Sequence, residues 1–131
     1  MRYSPKEAEI VRLRSGSPEA SRLVIAQAVG LSEGHTAQLI FSIERKRPII
    51  EQIEECKKNG NIRLAAQIDL EQGGLGQRAS WLIKHIHGID ALLAHTPYEL
   101  EQMRIKGAGK GTINRVNAYL KAEYGLSLKG T

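Results

Sequence analysis

Apolar residues recur every three or four positions along most of the chain, and no stretch alternates apolar and polar residues long enough to predict a strand. The pattern therefore predicts an all-α fold. The first helix should begin at the capping-box sequence Ser4-Pro5-Lys6-Glu7 and end at Ser15-Gly16. Ser17-Pro18-Glu19 repeats this start signal for a second helix, which Gly30 should end in a left-handed turn.

Two further helices are predicted on either side of Pro48. Ser32 should cap a helix over residues 33–45, and Pro48 should break it because proline lacks the amide hydrogen that a helix interior needs. A fourth helix should follow, with an apolar stripe formed by Ile49, Ile50, Ile53 and Cys56. The stripe either packs inside the monomer, which we prefer, or forms the seam of a homodimer.

The rest of the chain is predicted to form a connecting segment and a C-terminal domain. Asn61 should begin a helix that ends at Gly73-Gly74, the most flexible pair in the sequence, and we place the domain boundary there. The expected organisation is a unit of three to four helices over residues 1–60, a connecting helix and glycine-rich linker over 61–74, and a helical domain over 75–131. Within that last domain, one helix should pass through Trp81, Leu82 and Ile86, and others should run over 91–94, 97–102 and 112–123. Trp81 either lies in the core, which we prefer, or stacks on a base.

Composition limits the classes of protein to consider. The chain has 131 residues, 41% of them hydrophobic, which favours a packed core over disorder. The single cysteine allows no internal disulfide and is typical of a reducing compartment. We expect a cytoplasmic protein, because no segment is apolar enough for a signal peptide or a membrane span. A net charge of +5 suits a polyanionic partner.

A glycine-rich turn near the C-terminus, Ile105–Thr112, carries the clearest functional signal. Gly107 and Gly109 let the chain turn tightly between two helices and approach a ligand without obstruction by a β-carbon. The amides that follow begin the final helix, where unpaired N–H groups and the helix dipole favour phosphate. The residues expected to contact a nucleic-acid backbone here are Lys106, Gly107, Gly109, Lys110, Gly111, Thr112 and Arg115.

This turn, with Val116 after it, resembles the helix-hairpin-helix signature, which is apolar-x-Gly-x-Gly-x-x-Thr followed by an apolar residue. The resemblance covers residues 82–128, and the ending Tyr124-Gly125-Leu126-Ser127-Leu128 is most similar to the C-terminal domain of the bacterial RNA polymerase alpha subunit. It implies a SAM-like helical domain that binds the minor groove of double-stranded DNA and contacts transcription factors, with Arg78 as its DNA-contacting arginine. The alternative is a plain turn between two helices of an interaction domain.

A second motif, Ile25–Gly34, resembles the turn of a helix-turn-helix, with glycine in the turn and serine capping the second helix. Residues 3–47 look similar to the DNA-binding domains of LuxR-type regulators and of sigma-factor region four, with Thr36 standing where an apolar core residue is usual. The resemblance implies base contacts from His35, Gln38 and Ser42 and a phosphate patch at Arg45, Lys46 and Arg47. The alternative is an ordinary three-helix unit whose charges form a solvated face.

Several chemistries are not predicted. Gly111 separates Lys110 from Thr112, which does not fit a nucleotide-binding P-loop, and it stands where glycosylases with a similar hairpin carry a lysine. His85 and His87 should point to different faces of a helix, so no metal site is predicted. We therefore expect a non-enzymatic protein without a cofactor, and leave open a monovalent cation on the hairpin carbonyls.

Together these signals predict a bacterial or phage DNA-binding protein that acts in transcription regulation and binds double-stranded DNA through the C-terminal turn. One alternative is an adaptor that contacts RNA polymerase or an activator. Another is a DNA-binding accessory subunit in repair, recombination or conjugation. Partners would thus be DNA, RNA polymerase or a transcription factor, or a second copy of the chain, and no membrane is expected.

Overall fold

The computed structural model describes all of residues 1–131 and contains eight helices and no strand, which confirms the all-α prediction. None of the helices combines the length and the apolar character needed to cross a bilayer. The helices are α1 (Pro5–Gly16), α2 (Arg22–Val29), α3 (Glu33–Lys58), α4 (Ile62–Glu71), α5 (Gln77–His85), α6 (Ile89–Leu93), α7 (Pro97–Gln102) and α8 (Lys110–Tyr124).

The first two helices begin at serine caps. The Ser4 hydroxyl accepts a hydrogen bond from the Glu7 amide at 3.2 Å, and the Glu7 carboxylate accepts one from the Ser4 amide at 2.7 Å, which confirms the predicted capping box. α2 begins after Ser21, so the predicted start at Ser17-Pro18-Glu19 is wrong. The Ser17 amide instead donates to the Leu13 carbonyl and closes the end of α1, which leaves the following residues as a turn.

α3 continues through Pro48, so the predicted break and the separate fourth helix are wrong. A proline inside a helix removes one backbone hydrogen bond and crowds the preceding turn, at a cost of about 3 kcal/mol. Ile43 before it and Ile53 after it are both buried. Burial of two such side chains stabilises by about 3–6 kcal/mol, enough to offset the proline. The other members of the predicted stripe, Ile49, Ile50 and Cys56, are half-buried.

The chain forms two compact units, Arg2–Pro48 and Ile49–Thr131, with Met1 belonging to the second. This division differs from the predicted boundary near Gly73-Gly74. Residues 61–74 include α4, whose Ala66 and Leu70 lie fully buried in the core of the second unit. The segment predicted as a connector is therefore part of a core.

Each unit has its own apolar core. In Arg2–Pro48 the buried cluster is formed by Ile10, Ile25, Val29 and Ile43. In the second unit, residues from α4 to the C-terminal end form one cluster, and α5 and α8 each supply three of its members: Ala79, Leu82 and Ile83, and Ile113, Val116 and Leu120. Ile105 and Ala108 of the predicted hairpin belong to the same cluster, so the hairpin is anchored in this core.

A buried carboxylate, Asp69, joins α4 to the end of α8. Asp69 is 1% exposed and accepts hydrogen bonds from the Tyr119 hydroxyl at 2.6 Å and from the Tyr124 hydroxyl. The amine of Met1 also lies 2.6 Å from Asp69 Oδ1. Burial, together with the bond to Asp69, raises the pKa of Tyr124 above its ordinary value. These bonds anchor α8 at the end opposite the hairpin.

Candidate nucleic-acid interface

The predicted hairpin forms the turn between α7 and α8. Ile105 and Ala108 within the turn are buried, as are Ile113 and Val116 on the helix that follows, and all four belong to one cluster. Ile105 therefore lies in the same core cluster as Ile113 and Val116 of α8. These apolar residues hold the turn in the core of the unit.

Gly107 is required by the fold itself. Its φ is +79°, a left-handed conformation, and a β-carbon there would lie 3.2 Å from Cε3 of Trp81. The buried Thr112 hydroxyl donates a hydrogen bond to the Gly107 carbonyl at 3.3 Å. The Thr112 side chain therefore closes the turn from inside, and only its amide remains as a candidate phosphate contact.

Gly109 and Gly111 are not required by packing. Neither has a positive φ, and no atom lies within 4 Å of the place where a β-carbon would stand. Gly109 precedes α8 in an extended conformation, and no side chain caps the helix. The first amides of α8 therefore have no acceptor within the helix, and the absence of side chains at both glycines leaves them uncovered.

Positive charge surrounds these amides. Arg78, Lys106, Lys110 and Arg115 are exposed, and none of them forms an ion pair. Arg78 Cγ lies 3.9 Å from the β-carbon position of Gly107, so the structure places this predicted arginine directly beside the turn. Arg115 donates a hydrogen bond to the Leu75 carbonyl at 3.5 Å. The first turn of α8 contains no acidic residue, so the charge is uncompensated.

The helix-turn-helix-like segment forms the predicted turn. Gly30 ends α2 at a φ of +72°, and the Ser32 hydroxyl accepts a hydrogen bond from the His35 amide at 3.1 Å. Thr36 is 0% exposed, so it fills the core position that an apolar residue usually occupies, and its hydroxyl has no hydrogen-bond partner. His35 and Gln38 are exposed near the start of α3, where base contacts were predicted.

Two residues predicted to contact DNA from α3 are engaged inside the unit instead. Lys46 Nζ lies 2.7 Å from the buried Glu7 carboxylate and 3.2 Å from the Arg2 carbonyl. Burial alone would raise the pKa of Glu7, but hydrogen bonds from Lys46, the Ser4 amide and Ser42 outweigh it and lower the pKa to about 2. Lys46 and Ser42 therefore stabilise Glu7 and are poorly placed for DNA.

The other two arginines of the basic run remain on the surface. Arg47 lies 3.2 Å from Glu44, and Arg14 lies 3.1 Å from the same carboxylate. Arg45 is exposed. Much of the positive charge predicted as a phosphate patch is thus balanced within the N-terminal unit, in contrast to the uncompensated charge at the hairpin.

A groove that the sequence did not predict lies beside the hairpin. The prediction that Trp81 lies in the core is wrong, because its side chain is 45% exposed. It lines a cavity of about 620 Å³, which we call the Trp81 groove and which is formed by Trp81, Lys84, His85, His87, Ile105 and Lys106. The core stripe of α5 is complete without the tryptophan, since Ala79, Leu82, Ile83 and Ile86 follow the helical repeat. This spacing is the sequence signal from which the exposure of Trp81 could have been predicted.

The two histidines line the same groove, which corrects the prediction that they point to different faces. α5 ends at His85, and His87 adopts a left-handed φ of +67°. This residue turns the chain back, so spacing along a continuous helix no longer applies. A non-glycine residue in this conformation is strained, and such strain is often found at functional sites.

No model of a known protein family, no characterised protein and no solved structure matches the chain. The structure brings no three His, Cys, Asp or Glu side chains close enough together to hold a metal ion. Function is therefore inferred from the chemistry of the hairpin and of the groove beside it.

Proposed function

We propose that the chain is a non-enzymatic DNA-binding protein whose C-terminal unit binds the phosphate backbone of duplex DNA through the Gly107–Thr112 turn. The supporting observation is that Gly109 and Gly111 meet open space and have ordinary backbone conformations, so the fold does not explain why they are glycines. A close approach by an external backbone does explain it, because a side chain at either position would stand between the amides and a phosphate.

The charges beside the turn support the same proposal. Amides at a helix N-terminus favour an anion through the helix dipole, and Arg78, Lys106 and Lys110 add three full charges without acidic neighbours in ion pairs. Contacts of this kind position a protein on DNA without specifying sequence. Binding to random duplex should fall in the usual non-specific range, with a Kd of about 10⁻⁴–10⁻⁶ M at physiological salt.

We further propose a role in transcription regulation. It is supported by the resemblance of the hairpin and of the ending Tyr124–Leu128 to the RNA polymerase alpha subunit domain. The helix-turn-helix-like turn at Gly30 adds support, since it leaves His35 and Gln38 exposed for contacts with base edges. In this proposal the C-terminal unit supplies affinity and the N-terminal unit supplies sequence preference.

An adaptor that contacts RNA polymerase or an activator is the second candidate. Tyr98 on α7 is 69% exposed, and Met103, directly after the end of α7, is also exposed. Aromatic and methionine side chains are enriched in protein interfaces. An adaptor of this kind would keep its protein partner after the hairpin is disabled. That outcome separates it from a protein whose primary ligand is DNA.

A salt titration tests the hairpin. The chain and its Gly109→Glu variant are titrated with a labelled random duplex at several salt concentrations, with Gly16→Glu as a control of equal charge at a glycine that also meets open space. With about four phosphate contacts, the slope of log K against log salt should be roughly −3 to −4 for the native chain and for Gly16→Glu. Gly109→Glu should bind far more weakly. Weak, salt-insensitive binding by all three would overturn the proposal.

A further inference from the structure

Trp81 is presented to solvent by a helix that does not need it for packing. Leu82, Ile83 and their apolar neighbours already fill the core-facing positions of α5. The indole ring instead lies against the backbone at Gly107, where even a β-carbon would come within 3.2 Å of it. No aromatic ring or cation of the chain stacks on the indole. A rigid aromatic surface is therefore available immediately beside the hairpin.

The walls of the Trp81 groove give this surface a charge preference. Lys84 and Lys106 contribute cations and His85 and His87 contribute imidazoles, while no acidic residue lines the cavity. Its volume of about 620 Å³ lies within the range of pockets that enclose small ligands, about 300–1,000 Å³. The groove therefore suits a flat, largely apolar group attached to negative charge.

We infer that the Trp81 groove binds an unpaired nucleobase of a single-stranded nucleic acid, by stacking on the indole, while Lys84 and Lys106 contact the flanking phosphates. A base carries both features that the groove selects for, a flat π-face and a phosphate on either side. An aromatic platform with adjacent cations is the usual means of holding single strands without reading their sequence. The inference rests on the proposed hairpin function, because Lys106 belongs both to the turn and to the groove.

Because Lys106 belongs to both the hairpin and the Trp81 groove, one strand can contact both surfaces at the same time. A strand whose phosphate is held at the amides of Gly109 and Gly111 has its neighbouring nucleotide beside Lys106 and Trp81. A paired base is already stacked in its helix and cannot enter the groove. The groove therefore predicts a preference for DNA that is single-stranded, frayed or distorted near the bound phosphate.

The experiment uses the full chain and two strands of equal charge. One is a twelve-nucleotide thymidine strand, and the other has the same phosphates but abasic residues throughout. Trp81 is the only tryptophan of the chain, so its fluorescence reports on the groove directly. Affinity is measured separately by anisotropy of a dye on the strand, so that variants lacking tryptophan can be compared. Circular dichroism confirms that each variant is folded.

The thymidine strand should quench Trp81 fluorescence and bind about 5- to 100-fold more tightly than the abasic strand. Trp81→Leu should bind both strands with the affinity that the native chain has for the abasic strand. Tyr98→Leu, which removes an exposed aromatic outside the groove, should behave like the native chain.

Equal affinity for the two strands, with no quenching, would overturn the inference while leaving the hairpin proposal intact if duplex DNA still binds in a salt-dependent way. Failure of duplex and both strands to bind would overturn both. Quenching by an acidic, aromatic-containing peptide but not by the thymidine strand would assign the groove to a protein partner and would also overturn the inference.

Discussion

A β-carbon at Gly74 would stand 1.6 Å from Oδ1 of Asp69 and 2.8 Å from its Cγ. Asp69 cannot easily move aside, because Tyr119 and Tyr124 both donate hydrogen bonds to its carboxylate. Gly74→Ala should therefore lower the free energy of unfolding by about 1–3 kcal/mol, as measured by urea denaturation. Gly111→Ala, whose β-carbon meets open space at the start of a helix, is the control and should cause no loss. Equal stabilities for the two variants would contradict the contact.

Lys110 should contribute one phosphate contact to DNA binding. Lys110→Gln is expected to make the slope of log K against log salt less steep by about 0.9. The control is Lys121→Gln, which makes the same change eleven residues later on α8, about 16 Å away along the helix axis. That distance exceeds the screening length of about 8 Å at physiological salt, so the slope should not change. Identical slopes for the two variants would place the phosphate contacts elsewhere.

Glu7 should stabilise the N-terminal unit in a pH-dependent way. Its pKa of about 2 in the fold lies below the ordinary value of 4.5, so its contribution is complete above pH 4.5 and is lost as the pH falls towards 2. Glu7→Gln, which keeps a capping-box side chain, should cost about 3 kcal/mol at neutral pH and nothing near pH 2. Urea unfolding at several pH values in this range measures the stability of the native chain and of Glu7→Gln as a function of pH. Glu9→Gln serves as the control, and a pH-independent gap for Glu7→Gln would refute the assignment.

His87 holds a strained backbone at the groove. Its φ of +67° favours glycine, so His87→Gly should raise the free energy of unfolding by roughly 0.5–1 kcal/mol. Arg104, with a φ of +51°, offers a matched case outside the groove, and Arg104→Gly should produce a similar gain. Thermal unfolding compares the two. A gain at Arg104 with a loss at His87 would show that the imidazole itself stabilises the fold.

Thr36 carries a buried hydroxyl without a partner, which destabilises the N-terminal unit. Thr36→Val, which has nearly the same shape, should raise the free energy of unfolding by about 1 kcal/mol. The same substitution at Thr96 removes the cap of α7 and should lower it by about 1 kcal/mol. Denaturant unfolding of both variants checks the opposite signs, and a loss at Thr36 would indicate a hydrogen bond to water.

The features predicted correctly depend on short stretches of sequence. The capping box at Ser4 and the left-handed end of α2 at Gly30 are each decided within one helical turn. The turn between α7 and α8 is also determined locally, since Ile105, Gly107 and the first turn of α8 lie within one short segment. Such signals need no knowledge of the rest of the chain.

The errors concern competition between local and distant effects. Pro48 favours a helix end, but burial of Ile43 and Ile53 outweighs it, and burial cannot be read from the proline's neighbours. The prediction that Trp81 lies in the core rests on its apolar neighbours in the sequence, whereas the three- and four-residue spacing of Ala79, Leu82, Ile83 and Ile86 leaves Trp81 off the core-facing stripe. The groove could not be predicted because His87 leaves the helix, which brings residues of two segments together.

The core that contains α4 is completed by residues that lie much later in the sequence. Ala66 and Leu70 share their buried cluster with Leu120 and Leu128, about fifty to sixty residues later. α5 follows α4 closely, but at a synthesis rate of 5–20 residues per second roughly 3 to 12 seconds pass before Leu120 and Leu128 exist to complete this core. During that interval the nascent chain exposes a surface that chaperones and aggregation compete for, so the yield of folded protein should depend on how fast the last third is translated.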